Sequence, residues 1–197
     1  MNNTKFLVGG GIAISIGFLN LMLVIIGMLF GIIYSFREFF VAYDFICSVL
    51  YMVIFYIFYL MLNERYQFQS IKFFLIFHIF LWSMMALFTI ASLFVPETIS
   101  YYVYILLRLF RNLNKVIFCL IILFQLKDCS NIFLKPFAVV WLFAGLFHLF
   151  LVGVTLLGIR TPIFSMVGHF FGFITDIILG ITLIYSTKVE TEKLEFV

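Results

Sequence analysis

The chain has 197 residues, 65% of them apolar, and its 12 Gly raise that share to about 71%, against ~45–50% for soluble domains counted the same way. Charged residues make up 11%, under half of the ~25% usual in soluble proteins, and mean hydropathy is +1.24. A folded soluble domain of this length still exposes much of its surface, so the composition excludes a soluble enzyme, a disordered tail and a disulfide-stapled secreted module. It points to an integral membrane protein whose main partner is the lipid bilayer.

The net charge of +3 contains no basic run, so no nucleic-acid partner is expected. Cys47, Cys119 and Cys129 are scattered, without CxxC or Cys/His finger spacing, and support neither a disulfide framework nor a zinc site. The first apolar stretch, from Phe6 to about Tyr34, is too long for the 7–15-residue core of a signal peptide and reads as a retained transmembrane helix. Gly9, Gly10 and Gly11 open it and suit fraying or tight packing. Gly27 and Gly31 form a small-xxx-small pair suited to close helix approach.

A bilayer core near 30 Å needs about 20 apolar helical residues. On that measure the chain is all-α, a single membrane domain spanning 1–197, with six predicted transmembrane helices at about 6–34, 39–63, 71–96, 98–126, 134–159 and 162–187. These total 161 residues and leave 36 for loops and tails, too few for an extramembrane domain. Continuous apolar runs, rather than ~10-residue alternating segments, argue against a β-barrel.

Loop charges set the orientation. Lys5, Arg65, Lys72, Lys127, Lys135, Lys188 and Lys193 lie on the side of the N-terminus, and only Arg37 and Arg160 lie opposite. Both termini are therefore expected in the cytoplasm, with the protein in the cell membrane. The fourth span carries Arg108, Arg111 and Lys115 at its centre. Were it not to cross, eight basic residues would lie outside and four inside, reversing the positive-inside bias, so a full crossing is expected. Tyr101, Tyr102 and Tyr104 mark its outer end, the headgroup zone that amphipathic rings prefer.

Projected at 100° per residue, Tyr104, Arg108, Arg111, Asn112 and Lys115 fall within about 100° of arc, together with Tyr101 and Cys119. Val103, Leu106, Phe110, Leu113, Ile117 and Phe124 occupy the opposite face. A charge at the bilayer centre costs at least ~2.5–3.5 kcal/mol, so the basic face is expected to turn toward the interior, water or a bound anion. Asp176, near mid-depth in the sixth helix, is the expected partner of Arg111 or Lys115. His169 lies seven residues before it on one stripe with Ser165, Gly172 and Gly180, and His148 is mid-depth in the fifth helix.

The candidate binding residues are thus Arg108, Arg111 and Lys115 as anion ligands, Asn112 and Tyr104 as hydrogen-bonding neighbours, and His148, His169 and Asp176 completing a polar interior. Counting Asp44, three bases face two acids. One surplus positive charge suits a small anion or a lipid headgroup.

At 1.5 Å per residue, His78, His148 and His169 lie about 10, 21 and 27 Å from the cytoplasmic end, so His78 is not expected to join the others in a metal site. No HExxH, GxSxG or acidic phosphate-site pattern is present. No catalytic residue, metal or cofactor is assigned, and an enzyme is not the default reading. The main expectation is a multi-pass protein that binds a small anionic or amphipathic solute and is a candidate to transport it. One alternative is an accessory subunit whose charged helix pairs with a membrane protein partner. The other is a redox protein holding haem between His148 and His169. The Arg108, Arg111, Asn114, Lys115 spacing is a poor match to a voltage sensor.

Overall fold

A computed structural model describes residues 3–30, 37–66, 69–125, 132–159 and 162–188. It is all-α, with α1 (Thr4–Phe30), α2 (Arg37–Tyr66), α3 (Gln69–Ala91), α4 (Glu97–Gln125), α5 (Leu134–Leu156) and α6 (Pro162–Tyr185). Five of the six, all but α4, are long and apolar enough to cross a membrane. The Gly27/Gly31 pair and the end of the first predicted span run into residues outside those described, as do Arg160 and Lys193.

Three helices stop earlier than the sequence predicts, the sixth at Tyr185 rather than Thr187 and the third and fifth by more. The third was expected to reach Pro96 but ends at Ala91. The residue before a proline is pushed out of the α region, and the chain leaves the helix through tight bonds from Leu93 N to Ile90 O and Phe94 N to Ala91 O. Pro96 then caps α4, its carbonyl accepting from Ser100 N at 3.0 Å, while Glu97 in the first turn suits the positive end of the helix dipole. The fifth was expected to reach Ile159 but ends at Leu156. Gly158, at φ 76°, donates to Thr155 O while Ile159 donates to Val154 O, the paired bonds of a glycine-terminated helix end.

Each helix packs against its neighbours in the chain, and α6 closes on α1, so the six form an up-and-down ring. The α1–α6 seam is antiparallel. Asn3 Nδ2 donates to Thr187 O at 3.0 Å, Gly10 meets Gly180, and Gly17 meets Phe173. Each contact advances seven residues on α1 as it retreats seven on α6, a heptad-like seam. A Cβ built on Gly10 would sit 2.7 Å from Gly180 O, and one on Gly180 would sit 2.7 Å from Gly10 O. Only glycine lets these backbones approach so closely. Lys5 closes the same end of the ring by pairing with Glu64 of α2 at 2.5 Å.

The apolar core is uneven along the bundle. Phe6, Phe58, Met61, Leu75, Phe118, Ile122, Phe137 and Leu183 are all buried, and all lie toward the end that carries the chain termini. Phe137 stacks on Trp141 at 5.0 Å and meets Phe58 edge-on at 5.3 Å. This half is filled with rings. Tyr43, Asp44, Tyr104, Arg108 and Arg111 lie in the other half.

Candidate functional site

α4 decides the character of that half. Leu106, Phe110, Leu113, Ile117 and Phe124 are exposed on its outer face, while Arg111, Asn112, Asn114 and Cys119 are buried on its inner face. The helical projection predicts this split except for Asn114, which lies about 120° from Arg108 and donates to Phe74 O of α3 at 2.9 Å. Burying the opposite face would put three cations on the outside of the bundle.

Tyr104, Arg108, Arg111, Lys115, His148, His169 and Asp176 line one cavity of about 140 Å3 inside the ring. From Tyr104 to Lys115 this chamber follows α4 for about 16 Å, at 1.5 Å per residue. The eighth predicted residue, Asn112, stands apart. It lines a neighbouring cavity of about 220 Å3 on the α4–α5 side, together with Tyr104, Arg108 and His148. Asn112 is one residue beyond Arg111, and that 100° step turns it toward α5.

The expected ion pair between Asp176 and Arg111 or Lys115 does not form. Among the described residues the one ion pair is Lys5–Glu64. Asp176 Oδ2 instead accepts from the Tyr51 hydroxyl at 2.7 Å and from the Asn20 amide at 3.1 Å. The Tyr43 hydroxyl donates to Asn20 Oδ1 at 2.9 Å. The acid is thus held by neutral donors from α1 and α2. The reason lies in the seam: α6 presents Asp176 toward Gly17 of α1, where a built Cβ would lie 3.2 Å from the Asp176 Cβ. Asn20, Tyr43 and Tyr51 carry no charge and no motif, so sequence reading passes over them.

The cations rest on aromatic faces. The Arg111 guanidinium lies 4.2 Å from the Trp82 ring centre, Lys115 Nζ lies 5.3 Å from that of Trp141, and the Arg108 guanidinium lies 4.9 Å from that of Tyr104. Arg111 also donates to Met85 Sδ at 3.6 Å. Such stacking suits a desolvated cation and leaves the charge uncompensated. Trp82 is itself fixed, stacked on Tyr51 at 4.4 Å and donating to His78 Nε2 at 3.2 Å.

His78, set apart by depth in the sequence, lines the same chamber from its aromatic floor. The depth count measures position along one helix and misses how far an elongated chamber reaches. His148 Nδ1 lies 2.6 Å from Ala144 O. A carbonyl only accepts, so Nδ1 carries the proton and Nε2 is left toward Gly168, whose built Cβ it approaches to 3.4 Å. Close packing around Gly168 therefore places an imidazole at the chamber wall. Among the described residues no three His, Cys, Asp or Glu side chains gather as metal ligands.

Asp44 also lines the chamber, so three bases and two acids face it. Asp44 and Tyr104 are shared with a cavity of about 290 Å3 formed at the same end of the ring with Glu97, Ser100 and Tyr101. The chamber therefore adjoins a second space at the end away from the termini, while the ring-filled core lies beneath it.

Compared with known proteins, the chain matches no family model, no curated protein and no solved structure.

Proposed function

We propose that this is a six-span protein of the cell membrane, with both termini in the cytoplasm, that binds and transports a small anionic or amphipathic solute in the chamber between its helices. The observation that carries the reading is the state of the three cations. Arg108, Arg111 and Lys115 face one cavity, and no carboxylate lies within ion-pair distance of them among the described residues. Each cation costs at least ~2.5–3.5 kcal/mol at the membrane centre. A cation–π contact returns up to about 2 kcal/mol when desolvated, which leaves a deficit that a bound anion removes. Guanidinium groups suit carboxylate and phosphate by their paired donors.

The crossing of α4 is supported by its length. Its 29 residues reach about 43 Å at 1.5 Å per residue, more than the ~30 Å hydrocarbon core, and its charges turn away from the lipid face. The seven-to-two loop charge count supports cytoplasmic termini. Access to the chamber from the end away from the termini is favoured by its position, above the aromatic core and beside a second space at that end. An assembly role for the charged helix has less support, because Arg111 is only 8% exposed.

The test is mass spectrometry of small molecules and lipids that co-purify with the wild type and with the Arg108→Ala/Arg111→Ala double variant. The wild type is expected to carry an anionic species that the double variant loses. The same bound species in both proteins rejects the site.

A further inference from the structure

Asn112 is 1% exposed, and neither its Nδ2 nor its Oδ1 has a hydrogen-bond partner among the described residues. Buried amides are almost always bonded, so a doubly unsatisfied one at a cavity wall is a feature of the site. The cavity it lines is bounded by Arg108, Tyr104 and His148, which also border the basic chamber, and by the apolar Ile105, Leu151 and Val152. The two spaces share a wall at Arg108. At about 140 and about 220 Å3, neither alone reaches the ~300 Å3 at which small-molecule pockets begin, and together they do.

We propose that the two cavities are lobes of one site, and that its occupant is a monoanion carrying a neighbouring hydroxyl or amide. The anionic group sits at Arg108, Arg111 and Lys115. The neutral group enters the side lobe, where Asn112 supplies both a donor and an acceptor. This inference rests on the anion-binding reading above and narrows it. Three bases against two acids leave one positive charge, which matches a carboxylate or a phosphodiester. A neutral partner that both donates and accepts is what an unpaired carboxamide selects. A bare anion would leave that amide unsatisfied.

The chemistry is shared by a soluble hydroxy acid and a hydroxylated lipid headgroup, and paired probes separate them. Binding to the full-length protein in nanodiscs is measured for 3-hydroxybutyrate against butyrate, and for phosphatidylglycerol against phosphatidylpropanol. Each pair differs in its hydroxyl groups alone. The wild type is expected to prefer the hydroxylated member of one pair by about tenfold, the scale of one or two hydrogen bonds. The preferred pair identifies the source. Asn112→Leu is expected to abolish the preference while retaining the affinity for the non-hydroxylated member. Asn112→Asp is a second variant that retains the shape and the acceptor but adds a negative charge, and it is expected to weaken binding of every probe. Equal binding of both members in both pairs by the wild type overturns the inference and leaves the anion site standing. A preference that survives in Asn112→Leu overturns it as well. Absence of binding by all four probes rejects the anion reading and this inference together.

Discussion

The guanidinium of Arg111 lies 4.2 Å from the ring centre of Trp82, one helix away, where a carboxylate would be the ordinary partner of a buried cation. An aromatic face holds a charge in place without neutralising it. That distinction separates a cation kept for the fold from one kept for a ligand, and it can be measured.

Arg111→Met retains much of the side-chain volume and removes the charge. Replacing a buried ion pair by apolar groups of similar size is often neutral or stabilising by ~1–4 kcal/mol, and what makes such changes costly is a partner charge left behind, which Arg111 does not have among the described residues. The variant is expected to melt no lower than the wild type in detergent, and to lose the co-purified anion. A large loss of thermal stability would make Arg111 a structural residue.

Asp176 receives two hydrogen bonds on one oxygen, from Tyr51 and Asn20. Asp176→Ala strands both donors, each at a cost of about 1–3 kcal/mol, and is expected to destabilise the protein clearly. Asp176→Asn retains an acceptor and is expected to cost less. By raising the surplus positive charge of the chamber from one to two, it should also tighten anion binding. Weaker anion binding in Asp176→Asn would mean that the acid orients the cations rather than opposing the ligand.

The α1–α6 seam makes a contrast within three consecutive glycines. A methyl at Gly10 would meet the Gly180 backbone, whereas one at Gly11 meets nothing within 4 Å. Gly10→Ala and Gly180→Ala are each expected to destabilise by about 1–3 kcal/mol through overpacking. Gly11→Ala is expected to be neutral or stabilising by up to about 1 kcal/mol, the helix-propensity gain over glycine. Chemical or thermal unfolding of the three variants in one detergent checks this order. Equal effects at Gly10 and Gly11 would argue against the close seam.

The topology has a built-in probe. Cys47 and Cys119 are buried, and Cys129 lies between α4 and α5 in the sequence. A membrane-impermeant maleimide is expected to label Cys129 in inside-out vesicles and not in right-side-out ones, with Cys129→Ser abolishing the signal. The reverse pattern would mean that α4 does not cross.

Six helices were legible in the chain because each needs only a run of apolar residues and a break. The inward face of α4 was legible because its polar residues recur at the helical period. The early end of α5 was legible in principle too, in Gly158, since glycine is the residue that helix ends favour at positive φ. The network around Asp176 was not. Its charge suggested Arg111 or Lys115, which match it in depth, but the heptad seam turns it toward α1. Asn112 was assigned to the basic face by its angle. Only the packing of α5 showed that the edge of that face opens into a different cavity.

The order of residues along the chain, by itself, determined the solvent of this protein, its helices and which side of α4 avoids lipid, because hydrophobicity and periodicity are local properties. Tertiary structure alone decided what each buried charge touches. Tyr51 and Asp176 are 125 positions apart, and Asn20 and Asp176 are 156 apart. No local pattern specifies which helices become neighbours. The pairings are settled by close packing, here by glycines that draw α6 onto α1 and by indole rings that lie under the cations.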